Sequence, residues 1–530
     1  MTPNQAQDQS WDVIVIGAGM GGGIAARRLA EQGLAVLVVE KGPQDHPQEQ
    51  QGLNQKMLDP VARRVRSFWP TQVEATLNGR TSRSFAALGS GVGGSSVFYA
   101  GALERPERHD LEDTPQMPHP TGGWPVGYDG FAPYYAQAEE ILHIAGENDP
   151  LSREAPFALK PPAPISADEQ RMMDTMAENG LHPYRLPLSI RNVEGCMMCI
   201  GHKCPRNCKM DGRSAGIEPA LATGRTTVLT DCDATALVYD DQAVTGVKLT
   251  HDGQDITMRA PFYVLAAGGY GSPRLLLRSQ GPNPKGCANS SDWVGRGLMF
   301  HLNELFVLWP HRKHRFKGAS KAVSTRDLYS HEGKRFGVIQ SVGLEASFGN
   351  IATFLGGLYD RSVLRRIRKL RYPLTNIPAL IAARMLGDAK IFSAIMEDLP
   401  YPENRVVLNA DDPEIPTFHY TIPDEMMTRW RAYRRRIKKA FTGHRRLMMG
   451  MAPQLNFGHP CGTLRFGHDP ATSVLDANCK AHDLDNLYVA DSSFFPTSLG
   501  VNPSLTIAAN ALRVGDIIAA RTKSETSDGS

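Results

Sequence analysis

The sequence predicts an α/β fold: a Rossmann-like nucleotide-binding unit, discontinuous in the chain, with an inserted α+β unit that contains an antiparallel sheet. Three observations lead there. Residues 11–40 read as strand, glycine turn, helix, strand and terminal acid; two further glycine-rich turns follow apolar segments; and strand-like segments reappear after residue 300 among helical ones.

The first stretch organises the rest. Ile14, Val15 and Ile16 form an apolar strand, and Gly17, Gly19 and Gly22 follow with G-x-G-x-x-G spacing. Gly17 permits the tight turn, Gly19 lets the backbone approach a pyrophosphate, and Gly22 lets the next helix pack on the strand. Residues 24–33 are expected to be helical, ending on Gly33, with free N–H groups at the helix start directed at phosphates. The strand 36–39 ends at Glu40, about twenty residues after the glycines, where a carboxylate accepts from a ribose 2′-hydroxyl. Glu40 argues against a 2′-phosphorylated cofactor, which it would repel.

The totals exclude several classes. A chain of 530 residues has room for a large core and more than one domain, and a net charge of +3 calls for neither nucleic acid nor a membrane. The N-terminal residues lack the basic and apolar regions of a signal peptide, and no apolar run approaches a bilayer span; the best, 377–386, contains Arg384. The default expectation is a cytoplasmic protein. Eight cysteines in this length do not make a disulfide scaffold.

Along the chain, 41–55 reads as a loop. Residues 85–101 carry Gly89, Gly91, Gly93 and Gly94 with Ser95 and Ser96, a second backbone-rich cradle between an apolar lead-in and an aromatic exit; a flexible linker is the bland alternative. A helix is expected after Pro133, another over 167–180, and a proline-rich loop between them. Strands are expected at 226–230, 234–239, 244–250 and 255–260, the last two joined by a hairpin, then a buried strand at 261–267 running into a glycine turn and a helix at 274–279. Within 300–450, segments 305–309, 336–342, 391–396, 405–408 and 417–421 look like strands. The basic runs 361–371 and 429–446 read either as solvated faces or as amphipathic helices on a membrane or an acidic partner. Near the end, the strand 487–490 puts Asp491 at its C-terminal end, where open parallel sheets bind ligands. A helix of small residues then runs to 520, and 522–530 is disordered in composition.

The motifs GAGMGG with Glu40, GSGVGGSS, AAGGYGSPRLLLRS, HPCGTLRFG and NLYVADSSFFPTSLGVNPSLTIAANALR occur in this order. Together they resemble the glucose–methanol–choline (GMC) oxidoreductase family from end to end. The resemblance implies FAD, and an FAD-binding domain assembled from 1–110, 212–300 and 455–521. A connecting segment, 111–211, and a substrate domain, 301–454, would interrupt it. It places Gly17, Gly19 and Gly22 on the pyrophosphate, Glu40 on the adenosine ribose, and Gly93, Gly94, Ser95 and Ser96 near the isoalloxazine. It also places Val228 at adenine and Asp491 near the ribityl chain and pyrophosphate. His459 matches the active-site histidine and Asn502 the second member of the catalytic pair. Branches that attach FAD covalently carry a histidine just after the second cradle; here Val97, Phe98 and Tyr99 stand there, so FAD is expected to be non-covalent. An imidazole near neutral pKa can take the hydroxyl proton of an alcohol while the hydride goes to flavin N5, and the Asn502 amide can hold the oxygen.

Cys196, Cys199, Cys204 and Cys208 have the spacing C-x2-C-x4-C-x3-C, which suits a metal or iron–sulfur centre; disulfides or free thiols are the alternatives. The stretch resembles the large subunit of bacterial FAD-dependent sugar and sugar-acid dehydrogenases, with Met198-Cys199 where a Cys-Cys pair leads there. That likeness implies Cys199, Cys204 and Cys208 as ligands, with Cys196 or His202 as a fourth. The expectation is an FAD-dependent dehydrogenase or oxidase of a small-molecule alcohol. Two alternatives stay open: a catalytic subunit passing electrons through an iron–sulfur cluster to a cytochrome or quinone, exported with its partner and touching a membrane only peripherally, and an FAD-containing lyase.

Overall fold

The computed structural model describes residues 1–50, 59–309, 321–345 and 348–528. At its centre lies a five-stranded parallel sheet in the order Leu487–Val489, Phe262–Leu265, Val13–Ile16, Val36–Val39, Thr226–Leu229. Four of these strands are apolar and buried on both faces, as central parallel strands usually are, and only the edge strand Thr226–Leu229 is partly open. Val13 lies opposite Phe262 on one side and Val36 on the other. The helix Met20–Glu31 packs on the sheet and against the C-terminal helix Ser504–Asp528. Arg28 meets Asp516 at 2.6 Å between them, a half-exposed pair that contributes less than about 1 kcal/mol. The apolar contact between the helices does most of the work. A three-stranded meander, Asp233–Tyr239, Val244–His251 and Gln254–Met258, is attached at the side.

The second layer system is antiparallel. Leu302–Leu308, Lys390–Met396, Ile339–Glu345 and Val323–Thr325 form its body, with Arg446–Met448 and Gln454–Leu455 beyond one edge and Tyr184–Arg185 at the other. Side chains alternate across it with period two. Leu302, Phe306, Leu308, Ile339, Phe392, Ala394 and Met396 point to a core shared with the helix Asp424–Ala440 through Met426, Trp430, Tyr433 and Ile437. There Phe336 stacks on Tyr433 with ring centroids 4.7 Å apart, adding about 1 kcal/mol to plain burial. The intervening residues Asn303, Leu305, Gln340, Val342, Ser393 and Ile395 face a cavity.

Several elements depart from the sequence expectation. The helix expected after Pro133 is Tyr128–Ile141 and begins before that proline. Burial of Tyr128, Phe131 and Tyr135 outweighs the one lost main-chain bond. The helix expected over 274–279 is Gly268–Arg278: the Asp491 carboxylate accepts from Gly268 N–H at its start, an anion where a helix N-terminus favours one. Strands 405–407 and 417–420, expected within the 301–454 unit, pair instead with Val73–Leu77 and Arg80–Ser84 near the N-terminus. Tyr184–Arg185, from the connecting segment, forms an edge of the antiparallel sheet. The tail is corrected: the last helix continues through the expected disordered stretch to Asp528, helped by an i,i+4 pair between Arg521 and Glu525 at 2.9 Å. Part of the loop expected over 41–55, namely 51–55, and residues 529–530 of the tail lie outside the described residues. No helix among the described residues is long and apolar enough to cross a membrane.

Candidate active site

A cavity of about 650 Å³ runs along the C-terminal ends of the parallel strands and out under the antiparallel sheet. At one end it is lined by Glu40, Asp233 and Ala234, in the middle by Gly17, Gly19, Ser95 and Asp491, and at the other end by His459 and Asn502. Its lining runs from the two glycine cradles to the antiparallel sheet, an order that suits a dinucleotide followed by a space for substrate.

The two glycine cradles interlock in the middle. Gly93 N–H donates to Ala18 O at 2.8 Å. Gly94 adopts φ +54°, and a Cβ there would sit 2.8 Å from the Gly19 Cα. A Cβ on Gly22 would fall 1.9 Å from Gly17 O, so the helix can lie on the turn only as glycine. Gly19 differs: a Cβ would meet nothing closer than 4.0 Å. The protein's own packing does not require glycine at that position, but a ligand lying on the loop would. The helix Met20–Glu31 has no side-chain cap, which leaves its first N–H groups for that ligand. Ser96 is buried and structural, its hydroxyl donating to Gly93 O at 2.6 Å and accepting from Gly212 N–H at 2.9 Å. Ser95 stays at the cavity wall, its Oγ accepting from Gly89 N–H.

Glu40 is buried and accepts from Ala18 N–H and Gly42 N–H, both at 2.9 Å, so it braces the first glycine turn as well as facing the cavity. Burial pushes its carboxyl up from the usual range, and the two main-chain donors oppose this. Asp491 accepts from Gly268 N–H at 2.8 Å, Ser272 Oγ at 2.5 Å and Ser493 N–H at 2.9 Å. It too is pushed up by burial. Val228 is corrected: it lies within the strand Thr226–Leu229, paired with Val38, and Cys232, Asp233 and Ala234 form the cavity wall instead. The chain reaches the cavity only after leaving the sheet.

At the far end His459 meets a residue that the sequence reading missed. His301 is buried, and its Nε2 lies 3.1 Å from Ser498 O and 3.0 Å from Leu499 O, so Nε2 carries the proton. Burial lowers the pKa of His301 to about 4, so the ring is neutral and its Nδ1 is an acceptor. That Nδ1 lies 2.9 Å from His459 Nδ1, which must therefore be the donor. The remaining nitrogen of His459, Nε2, keeps its lone pair. Burial, and then the neighbouring His301, hold the His459 pKa well below 6.5, so the ring is neutral at physiological pH. Asn456 flanks the same Nδ1 with its amide nitrogen at 3.2 Å and takes Gly458 N–H on its oxygen at 3.1 Å, so the Nδ1 proton is assigned from the bond to His301 alone. Asn502 donates one amide N–H to Gln340 Oε1 at 3.0 Å and has a second to offer. Asn303 Oδ1 and Ser393 Oγ are buried, face the cavity and have no protein partner. No motif marks His301, Asn303, Gln340 or Ser393; the only signal is a polar residue at an inward position of an otherwise apolar strand.

The cysteine expectation is corrected. The four thiols do gather, with Cys199, Cys204 and Cys208 buried and Cys196 beside them. They contact one another, Cys204 to Cys208 at 3.3 Å and Cys208 to Cys196 at 3.4 Å. His202 is turned to its own loop, its Nδ1 3.1 Å from Ile200 O. Among the described residues no group of three or more His, Cys, Asp or Glu is arranged to hold a metal ion. Burial raises the Cys199 and Cys208 thiols, the latter to about 12, whereas Cys204 is lowered, its burial outweighed by main-chain donors and Cys208. The ligand set Cys199, Cys204 and Cys208 with Cys196 or His202 does not fit an iron–sulfur centre as it stands. What the segment does is brace the second cradle. Lys209 Nζ donates to Val97 O at 2.7 Å and His202 O at 3.0 Å, and Gly201 N–H donates to Phe98 O.

A Rossmann-like sheet with an open helix N-terminus, a glycine that leaves room for a ligand and a histidine at the far end of the cavity fit a flavin-dependent oxidoreductase. Family models for GMC oxidoreductases match residues 12–303 and 400–511. The chain is 31% identical to paromamine 6′-oxidase of Streptomyces fradiae, over 97% of this chain and 93% of that protein. It is 25% identical to the fructose dehydrogenase large subunit of Gluconobacter japonicus, over 96% and 98%. The fold is similar to that of a crystal structure of pyridoxine 4-oxidase from Mesorbium loti, with TM-score 0.63 and 18% identity, covering 96% of this chain and 99% of that one. The chain belongs to the GMC oxidoreductase family, and it is an FAD-dependent alcohol oxidoreductase.

Proposed function

We propose that this protein oxidises a primary or secondary alcohol of a neutral, hydroxylated small molecule to the carbonyl, with His459 as base and non-covalent FAD as hydride acceptor. The observation that carries this reading is the 2.9 Å contact of His459 Nδ1 with the acceptor Nδ1 of His301, which supports a tautomer with a basic Nε2 at the substrate end of the cofactor cavity. Bound FAD supplies the two-electron acceptor. The hydroxyl proton passes to His459 Nε2, the free N–H of Asn502 holds the oxygen, and the carbon loses its hydride as the C–O bond becomes double. The Nδ1 proton stays on the His301 side, so the ring gains charge only as the alcohol loses its proton.

Asn303 and Ser393 support the substrate class. Buried polar atoms without protein partners call for a ligand that supplies them, and hydroxyl groups do so without bringing charge. Glu40, Asp233 and Asp491 lie toward the cofactor end of the wall, and no other carboxylate lines it among the described residues. A polycationic amino sugar would therefore find little to pair with. The test is anaerobic mixing with a panel of polyols and sugars, following loss of flavin absorbance; a lyase would turn over with the flavin left oxidised.

A second reading concerns the acceptor. The likeness to the fructose dehydrogenase large subunit supports a catalytic subunit that delivers electrons to a partner protein or quinone. Oxygen consumption set against reduction of a soluble quinone decides between oxidase and dehydrogenase.

A further inference from the structure

We infer that the helical hairpin 348–386 docks the enzyme onto a membrane surface containing anionic lipid. The helix Phe348–Arg361, the turn Val363–Arg366 and the helix Arg368–Leu386 lie over the end of the antiparallel sheet remote from the catalytic histidine. The second helix is already packed along one face, where Thr375, Ala379 and Leu386 are buried against a cluster that includes Val307 and Ile351. Its opposite face carries a second apolar stripe, Leu370, Leu374, Ile377, Ile381 and Met385, at steps of three and four residues. All five are exposed, Ile377 by 57% and Met385 by 69%, and Val363 in the turn is 89% exposed. A surface helix normally shows solvent a polar face, and a contiguous apolar stripe marks a binding surface.

Charge decides what covers it. The stretch 361–387 contains no Asp or Glu, while Arg365, Arg366, Arg368 and Lys369 are all exposed beside the stripe. Asp360, the acid just before it, is occupied by Arg371 at 2.9 Å. The charge is local, since the whole chain carries only +3. Long basic side chains interleaved with Val363, Leu364, Ile367 and Leu370 can keep their stems in an apolar layer and their heads among phosphates. That layering fits a bilayer interface better than a folded acidic partner, which would need hydrogen-bonding contacts that the stripe does not offer. No helix here is built to cross the bilayer, so the attachment is peripheral, and it does not depend on which alcohol is oxidised.

The experiment is sedimentation of the FAD-loaded full chain with vesicles of phosphatidylcholine alone or mixed with phosphatidylserine. Binding to the mixed vesicles, weakened by salt, is the expected result. Arg365→Glu, Arg366→Glu and Lys369→Glu together should weaken it on the order of a hundredfold or more. Ile377→Ser with Ile381→Ser should weaken it about tenfold. Both variants should keep flavin content and the rate of flavin reduction by substrate, which separates lost docking from lost folding. Absence of binding to mixed vesicles at low salt would overturn the proposal. So would a wild-type dimer in light scattering that the serine variant makes monomeric, since a second copy would then cover the stripe.

Discussion

His301 and His459 share a hydrogen bond between their two Nδ1 atoms, 2.9 Å apart with the rings nearly perpendicular. Because His301 spends its only N–H on the Ser498 and Leu499 carbonyls, the shared bond needs its proton from His459. In the proposed mechanism this bond sets the tautomer of His459 before substrate arrives.

His301→Leu removes the acceptor and leaves His459 free to rotate or change tautomer. We expect flavin reduction to slow by about 10- to 100-fold with flavin content kept, a fraction of the full acid–base contribution. His301→Gln, whose side chain offers both an acceptor and a donor, should recover part of the loss. Equal rates in the two variants would reduce His301 to packing.

Stability carries the same signature. The His301 pKa is about 4 in the folded chain against an ordinary 6.5. The unfolded chain takes up this proton first as pH falls, so the contribution is full above pH 6.5 and is lost on descending toward 4. It amounts to about 3 kcal/mol. Glu397 and Asp398, which burial pushes up to about 7, act in the opposite sense across the same range. The His301 share is therefore read as a difference: denaturant unfolding of wild type and His301→Gln should diverge in pH slope between 4 and 6.5.

Gly94→Ala probes the cradle. The new Cβ would press on the Gly19 Cα at 2.8 Å and hold a side chain at φ +54°, a strain of about 1–2 kcal/mol before any clash. We expect purified protein with markedly reduced FAD occupancy, measured as the ratio of flavin to protein absorbance.

Much of this was legible in the sequence, for definable reasons. The strand, turn, helix and acid of residues 13–40 form one local unit whose pattern survives any tertiary context, so the paired strands Val13–Ile16 and Val36–Val39 fall where expected. Val228 misled because the strand and the cavity wall are only four residues apart, and periodicity does not say where a chain leaves a sheet. Cys199, Cys204 and Cys208 have spacing that suits a metal, yet the same spacing lets cysteine side chains pack on one another. His301 was invisible because its role comes from two loop carbonyls nearly two hundred residues away.

The substrate end makes its own prediction. Asn303→Ala and Ser393→Ala each remove from the cavity wall a side chain whose buried oxygen has no protein partner. Each should raise KM for a hydroxylated substrate about 2- to 10-fold with kcat little changed. Unchanged KM across the polyol panel would point to an apolar alcohol.

In the proposed reaction His459 takes the alcohol proton. Stopped-flow reduction of the bound flavin under anaerobic conditions tests it most directly, comparing wild type with His459→Ala at matched FAD content. We expect reduction to slow by about 10²–10⁴-fold in the variant. In wild type the rate should stay level with pH down to about 6.5, because burial holds His459 neutral there. A variant that reduces its flavin at the wild-type rate would contradict the assignment.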